Sequence, residues 1–195
     1  MGMPFEAAIR RFDEENAKDP NHVLLDGVRH PRELWYAQRL YDWVQRLAPH
    51  PSEELLLAAR SQHICRWMIA RSNYPMDRVG YLRWRNDLKN FHAQKSGEIL
   101  REVGYSEETI QRVQALNLKR NFPRDLESRV LEDALCLVFL EHQLGELMGR
   151  LSEEKTINAL QKSWNKMTPL GRDFALKLSY SPAEKALLER ALSSL

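Results

Sequence analysis

Apolar residues recur at spacings of three and four along almost the whole chain, the period of a helix with one buried face. Phe5, Ile9 and Phe12 mark a first helix over about Pro4 to Asn16, closed by the turn signal Asp19-Pro20-Asn21. A loop containing Asp26-Gly27 follows, and Pro31 suits the first position of a helix carrying Leu34, Trp35, Ala37, Leu40, Tyr41, Val44 and Leu47. Pro49-His50-Pro51 interrupts the pattern. Ser52 then caps a third helix that runs through Leu55, Ile64, Trp67 and Ile69 to a stop at Asn73-Tyr74-Pro75. Further helices are expected over about Asp77–Val103, Ser106–Lys119, Arg124–Gly149 and Ser152–Lys166, with a shorter one from Thr168-Pro169. Ser181-Pro182-Ala183-Glu184 reads as a capping box opening the last.

No segment of useful length alternates with the period of a strand, and no internal repeat is visible. The pattern predicts an all-α fold: a single helical domain over 1–195 with about eight or nine helices, of which 152–195 is a candidate peripheral extension.

Composition narrows the class. In 195 residues, 43% hydrophobic content is enough for one core, and 29% charged content suits a solvated helical surface. The longest near-apolar run, Ala134 to Leu140, is far short of the roughly 18 residues that a membrane span needs. The start Met-Gly-Met-Pro-Phe-Glu lacks a secretory pattern, and Glu6 stands where a myristoylation signal has Ser or Thr. Cys65 and Cys136 lie on strongly apolar faces and read as buried free thiols of a reducing compartment. A cytoplasmic protein with no membrane partner is the expectation.

The net charge of +2 implies no partner, but its distribution does. From Arg60 to Lys95 eight lysines or arginines face two acids, Asp77 and Asp87, a local excess of six positive charges. Trp67, Tyr74, Tyr81 and Trp84 are interleaved with them. Arg66, Arg71 and Arg78 would form a rim suited to a phosphate or carboxylate ligand, or simply a solvated basic face. Single-stranded nucleic acid is the lesser alternative, since the whole chain is near neutral.

Polar groups on buried faces are the candidates for chemistry. His63 shares a predicted helix face with Leu56, Ala59 and Trp67, His92 lies with Leu88 and Ile99, and Asp133 lies with Leu126, Val130 and Leu137. A buried carboxylate needs neutralising, by an imidazole, an arginine or a metal ion. Two histidines and a carboxylate suit Zn, Fe, Mn or Ni, with Glu132 as a further ligand or base. Equally, each histidine can be a hydrogen-bonded core residue, and Asp133 can pair with an arginine without metal.

Several blocks carry a resemblance: Ala58-Ala59-Arg60-Ser61-Gln62-His63-Ile64-Cys65-Arg66-Trp67, Arg78-Val79-Gly80-Tyr81-Leu82-Arg83-Trp84-Arg85, Phe91-His92-Ala93 and Leu131-Glu132-Asp133-Ala134-Leu135-Cys136. Over most of the chain they resemble the bacterial and fungal family called domain of unknown function 4202, which brings no activity. More distantly the chain is similar to the HD superfamily of helical, metal-dependent phosphohydrolases. In phase with that pattern Gln62 and His63 occupy its His-Asp doublet, Asp133 its late Asp and His92 a middle His, while Tyr36 falls where the early His stands. Lys119 replaces another His of some members and fits an anion site better.

The distant resemblance implies a hydrolase of a phosphorylated small molecule or nucleotide. In it His63, His92 and Asp133 would hold a divalent metal (Mn, Fe, Zn or Mg). Glu132 or Gln62 would orient water, and Arg66, Arg71, Arg78 and Lys119 would neutralise the phosphate. The alternative is a non-catalytic ligand-binding or interaction protein on the same kind of scaffold. A metal-dependent oxygenase is a third option.

Overall fold

Seven helices begin at a side chain that accepts a backbone N–H of the first turn: Ser52, Asp77, Ser106, Asp125, Ser152, Thr168 and Ser181. Each such cap satisfies a donor that the helix itself leaves unpaired and contributes about 1 kcal/mol. The computed structural model describes residues 2–25 and 27–195. Within them the chain forms α1 (Met3–Asn16), α2 (Arg32–Leu47), α3 (Glu53–Ser61), α4 (Arg78–Glu102), α5 (Glu107–Leu118), α6 (Leu126–His142), α7 (Leu144–Arg150), α8 (Glu153–Lys166), α9 (Pro169–Ala175) and α10 (Pro182–Ser193). Ser181 and Glu184 do form the reciprocal box expected of them.

The fold is all-α in character, with three departures from the expected elements. The loop after α1 holds a two-stranded antiparallel hairpin, β1 (His22–Leu25) and β2 (Val28–Pro31), paired from His22↔Pro31 to Leu25↔Val28. Four-residue strands are too short for their alternation to stand out, and Asp26 lies outside the described residues. Second, the expected Arg124–Gly149 helix divides at Gln143 into α6 and α7, making ten α-helices among the described residues rather than eight or nine. The third departure matters most. α3 ends at Ser61, so the apolar pattern that continues to Ile69 is carried by irregular turns and two short 3-10 turns, Arg66–Met68 and Arg71–Asn73.

Tertiary partners stabilise that early end. The Cys65 N–H donates to Asn16 Oδ1 at 3.1 Å, and the Ile64 carbonyl accepts from His92 Nδ1 at 2.7 Å. Backbone groups released from the helix thus find buried polar side chains on α1 and α4. Cys65 itself sits at φ 52°, a left-handed position that ends the turn.

α3 is buried on every face from Leu55 to Ser61 and forms the centre with α6. α2 packs against both, α5 lies against α3 and α4, and α1 crosses α3. Leu160, Met167, Ala175, Leu187, Leu188 and Ala191 of the C-terminal helices join the same hydrophobic cluster. Cys65 and Cys136 are buried and unpaired. No described helix is long and apolar enough to cross a membrane.

Candidate functional site

Pro20 and Asn21 just before the hairpin, the first turns of α2, the irregular segment after α3, the start of α4 and the α6–α7 junction enclose a cleft of about 710 Å³. Asp19 fixes one wall. Its Oδ1 accepts from the Asn21 backbone N–H and its Oδ2 from that of Glu33, joining the base of the hairpin to the first turn of α2. Arg32, Glu33 and Tyr36 of α2 thereby enter the cleft. His63, Arg66, Trp67 and Arg71 line it from the segment after α3, Trp84 and Arg85 from α4, and Gln143, Glu146 and Arg150 from the α6–α7 corner.

Five arginines therefore meet two glutamates. Arg32 and Arg150 both bind Glu146, at 2.8 and 3.2 Å. Arg66 stacks its guanidinium 4.9 Å above the Trp84 ring, whose Nε1 is held by the Ile69 carbonyl at 2.9 Å. Arg71 donates to the carbonyls of Tyr74 and Asp77 at 3.0 and 3.3 Å. Among the described residues no carboxylate lies within ion-pair distance of Arg66, Arg71 or Arg85. Burial pulls the Arg66 pKa down, Glu33 opposes this, and repulsion from Arg85 adds to it. A positive charge held this way, dehydrated and only partly balanced, attracts an anion.

Glu33 is 7% exposed, and its Oε2 has no hydrogen-bond partner among the described residues. Burial pushes its carboxyl up to about 7, with Asp19 adding to the rise and Arg66 and Arg32 opposing it.

The structure brings together two of the three expected metal ligands. The rings of His63 and His92 are 5.9 Å apart. His92, 2% exposed, must donate from Nδ1 because its partner is the Ile64 carbonyl; in the neutral ring Nε2 is then an acceptor, and it is unpartnered. Burial drives the His92 pKa down to about 4. His63 falls well below its ordinary value through burial first and then the charge of Arg66. In place of the expected helix face, His63 occupies the turns beyond α3, at the floor of the cleft.

Asp133 is not brought to them. Both of its oxygens are engaged by Thr168: Oδ1 accepts the backbone N–H at 2.8 Å, and Oδ2 the hydroxyl. The carboxylate ties α6 to the cap of α9 and packs so closely on Gly171 that an added Cβ there would lie 2.6 Å from Asp133 Cγ. Among the described residues no group of three or more His, Cys, Asp or Glu side chains is placed to hold a metal ion. The histidine pair, with its unpartnered nitrogen, is chemically suited to a metal, but without the carboxylate the residues do not fit the three-ligand site.

Four other expected residues stand outside the cleft lining. Glu132 is buried between Lys119, with which it pairs directly, and Lys166 at 3.2 Å. Burial raises its pKa, but the two lysines outweigh that and hold it low. Gln62 donates to the Asn117 carbonyl at 3.3 Å inside the core. Arg78 is exposed on the first turn of α4. Arg66 and Arg71 do line the cleft. Sequence reasoning missed Arg32, Glu33, Arg85 and Arg150. Glu33 had a legible signal, because it heads the buried stripe Tyr36, Ala37, Leu40 and Val44 at offsets of three, four, seven and eleven.

Residues 6–188 match the family described as Domain of unknown function (DUF4202). The chain belongs to this family. Every lining residue of the cleft falls inside the matched span, so the arginines and Glu33 are part of the DUF4202 domain rather than of an added segment. No curated protein and no solved structure matches the chain.

Proposed function

We propose that this DUF4202 chain binds a small anionic molecule, a phosphorylated one by the chemistry of the cleft, and that binding rather than metal chemistry is its core activity. The observation that carries this is the set of three cleft arginines, Arg66, Arg71 and Arg85, without a carboxylate partner among the described residues. Guanidinium groups match the oxygens of phosphate two at a time. Trp67, Trp84 and Tyr36 add aromatic surface for a planar part of the ligand. The cleft volume suits a metabolite-sized ligand, and the charge is gathered in one concavity rather than along a stripe of the kind that tracks nucleic acid.

Phosphate and a nucleoside monophosphate are the probes for a test by thermal unfolding and calorimetry, with chloride at equal ionic strength as control. Binding should raise the unfolding midpoint. Arg66→Ala should weaken it by at least about tenfold, the value of one charge-assisted hydrogen bond in a dehydrated site. If phosphate stabilises no more than chloride does, the proposal fails.

A phosphohydrolase working in the same cleft is the second reading, and His63 beside the unpartnered His92 Nε2 is the observation in its favour. Turnover of a phosphate monoester that disappears in His63→Ala, while phosphate still binds, would move the conclusion there.

A further inference from the structure

We propose that Glu33 is itself a ligand-binding residue of the cleft, acting as a neutral carboxyl that donates its proton to an oxygen of a doubly charged oxyanion, so that anion and proton are taken up together. This rests on the anion-binding reading of the cleft and assigns the residue that tunes it.

The geometry sets the requirement. Glu33 stands in the first turn of α2, its backbone N–H already donated to Asp19 Oδ2 at 3.0 Å. Its side chain is more than nine-tenths buried, lines the cleft, and leaves Oε2 without a partner among the described residues. The charged and titratable groups around it come from every wall. Arg32 and Tyr36 share its helix, Asp19 faces it from the segment after α1, and Arg66 faces it from the 3-10 turn after α3. His63 and Glu146 lie on the remaining walls of the cleft. Neither nearby cation is free to neutralise it fully, because Arg32 is paired with Glu146 and Arg66 is stacked on Trp84.

An ionised Glu33 would repel an incoming dianion and compete with it for Arg66. A protonated Glu33 does neither, and its O–H fills a hydrogen-bonding position that no protein group in the described residues fills. No covalent step is involved: the proton stays shared between the Glu33 carboxyl and the ligand oxygen. The carboxyl titrates at about 7, so the competent form dominates at pH 6 and is the minority at pH 8. When only the protonated form binds, apparent affinity scales with its fraction, which drops about tenfold between those pH values.

Inorganic sulfate is the probe, because it does not itself titrate in this range. Calorimetry on the whole chain at pH 6, 7 and 8, in buffers of different ionisation enthalpy at fixed ionic strength, reads both affinity and the protons taken up. The expected result is about tenfold weaker binding at pH 8 than at pH 6, with uptake approaching one proton per sulfate at pH 8. Glu33→Gln, neutral at every pH, should bind at pH 8 as the unchanged protein does at pH 6, with no linked proton. Sulfate bound with flat affinity and no proton uptake overturns the inference while leaving the anion site standing. A pH dependence that survives in Glu33→Gln also overturns it, by assigning the proton to His63. Sulfate that fails to bind the unchanged protein at any pH overturns the anion reading and this inference with it. Should the variant not fold, the proton count on the unchanged protein decides alone.

Discussion

Truncating Asp133 separates a structural carboxylate from a metal ligand. In the structure it receives two hydrogen bonds from Thr168, one of them at 2.8 Å from the backbone N–H that opens α9. Hydrogen bonds to an ionised acceptor contribute about 1.5–3 kcal/mol each, and the carboxylate's own burial offsets part of that. Asp133→Ala should therefore lower stability by about 3 kcal/mol, a fall of about 1 M in the urea midpoint for a chain of this size. Asp133→Asn keeps an acceptor for the N–H and offers an amide to the hydroxyl, so it should cost under about 1 kcal/mol.

Gly171 supplies an internal control. Its added methyl would meet the Asp133 carboxyl at 2.6 Å, so Gly171→Ala should be destabilising alone yet nearly neutral in the Asp133→Ala background. Urea unfolding followed by tryptophan fluorescence measures the unchanged protein and all four variants. Equal midpoints for Asp133→Ala and the unchanged protein would refute the reasoning. So would a chelator that lowers the unchanged protein's midpoint as far as Asp133→Ala does, since that is the behaviour of a metal ligand.

Two further expectations concern titration. His92, lowered to about 4, contributes stability that is full above its unfolded value near 6.5 and is lost as the pH falls toward 4. Glu33, raised to about 7, contributes in the opposite sense, fully below about 4.5 and lost as the pH rises through 7. Glu33→Gln removes the second effect, so its stability should drop more steeply on acidification, by about 1.4 kcal/mol more per pH unit between pH 5 and 6.5. Parallel stability curves for the two proteins would contradict this. Cys65 and Cys136 are buried, with burial pushing their thiols up to about 11 and about 12. A thiol reagent at pH 8 should label neither until denaturant is added, and rapid labelling of the native protein would show the packing to be wrong.

The sequence by itself determined the helices and most of their starts. Ser52, Asp77, Ser106 and Ser181 act on backbone donors three residues away, and apolar stripes at spacings of three and four report which face is buried. It also marked His63, His92 and Asp133 as polar groups in apolar surroundings, and His92 and Asp133 are indeed fully buried. What each of them touches was decided only in three dimensions. Asn16 and His92 reach the backbone released where α3 ends, so the helix stops eight residues before its apolar pattern does. Thr168, 35 residues from Asp133, claims the carboxylate that the sequence left open to a metal or an arginine. The cleft collects Arg32, Glu33, Arg66, Arg85 and Arg150 from four separate segments. Capping and amphipathic periodicity act within a turn or two of the chain, whereas the choice of a buried polar partner depends on which elements approach one another, and no local pattern encodes that approach.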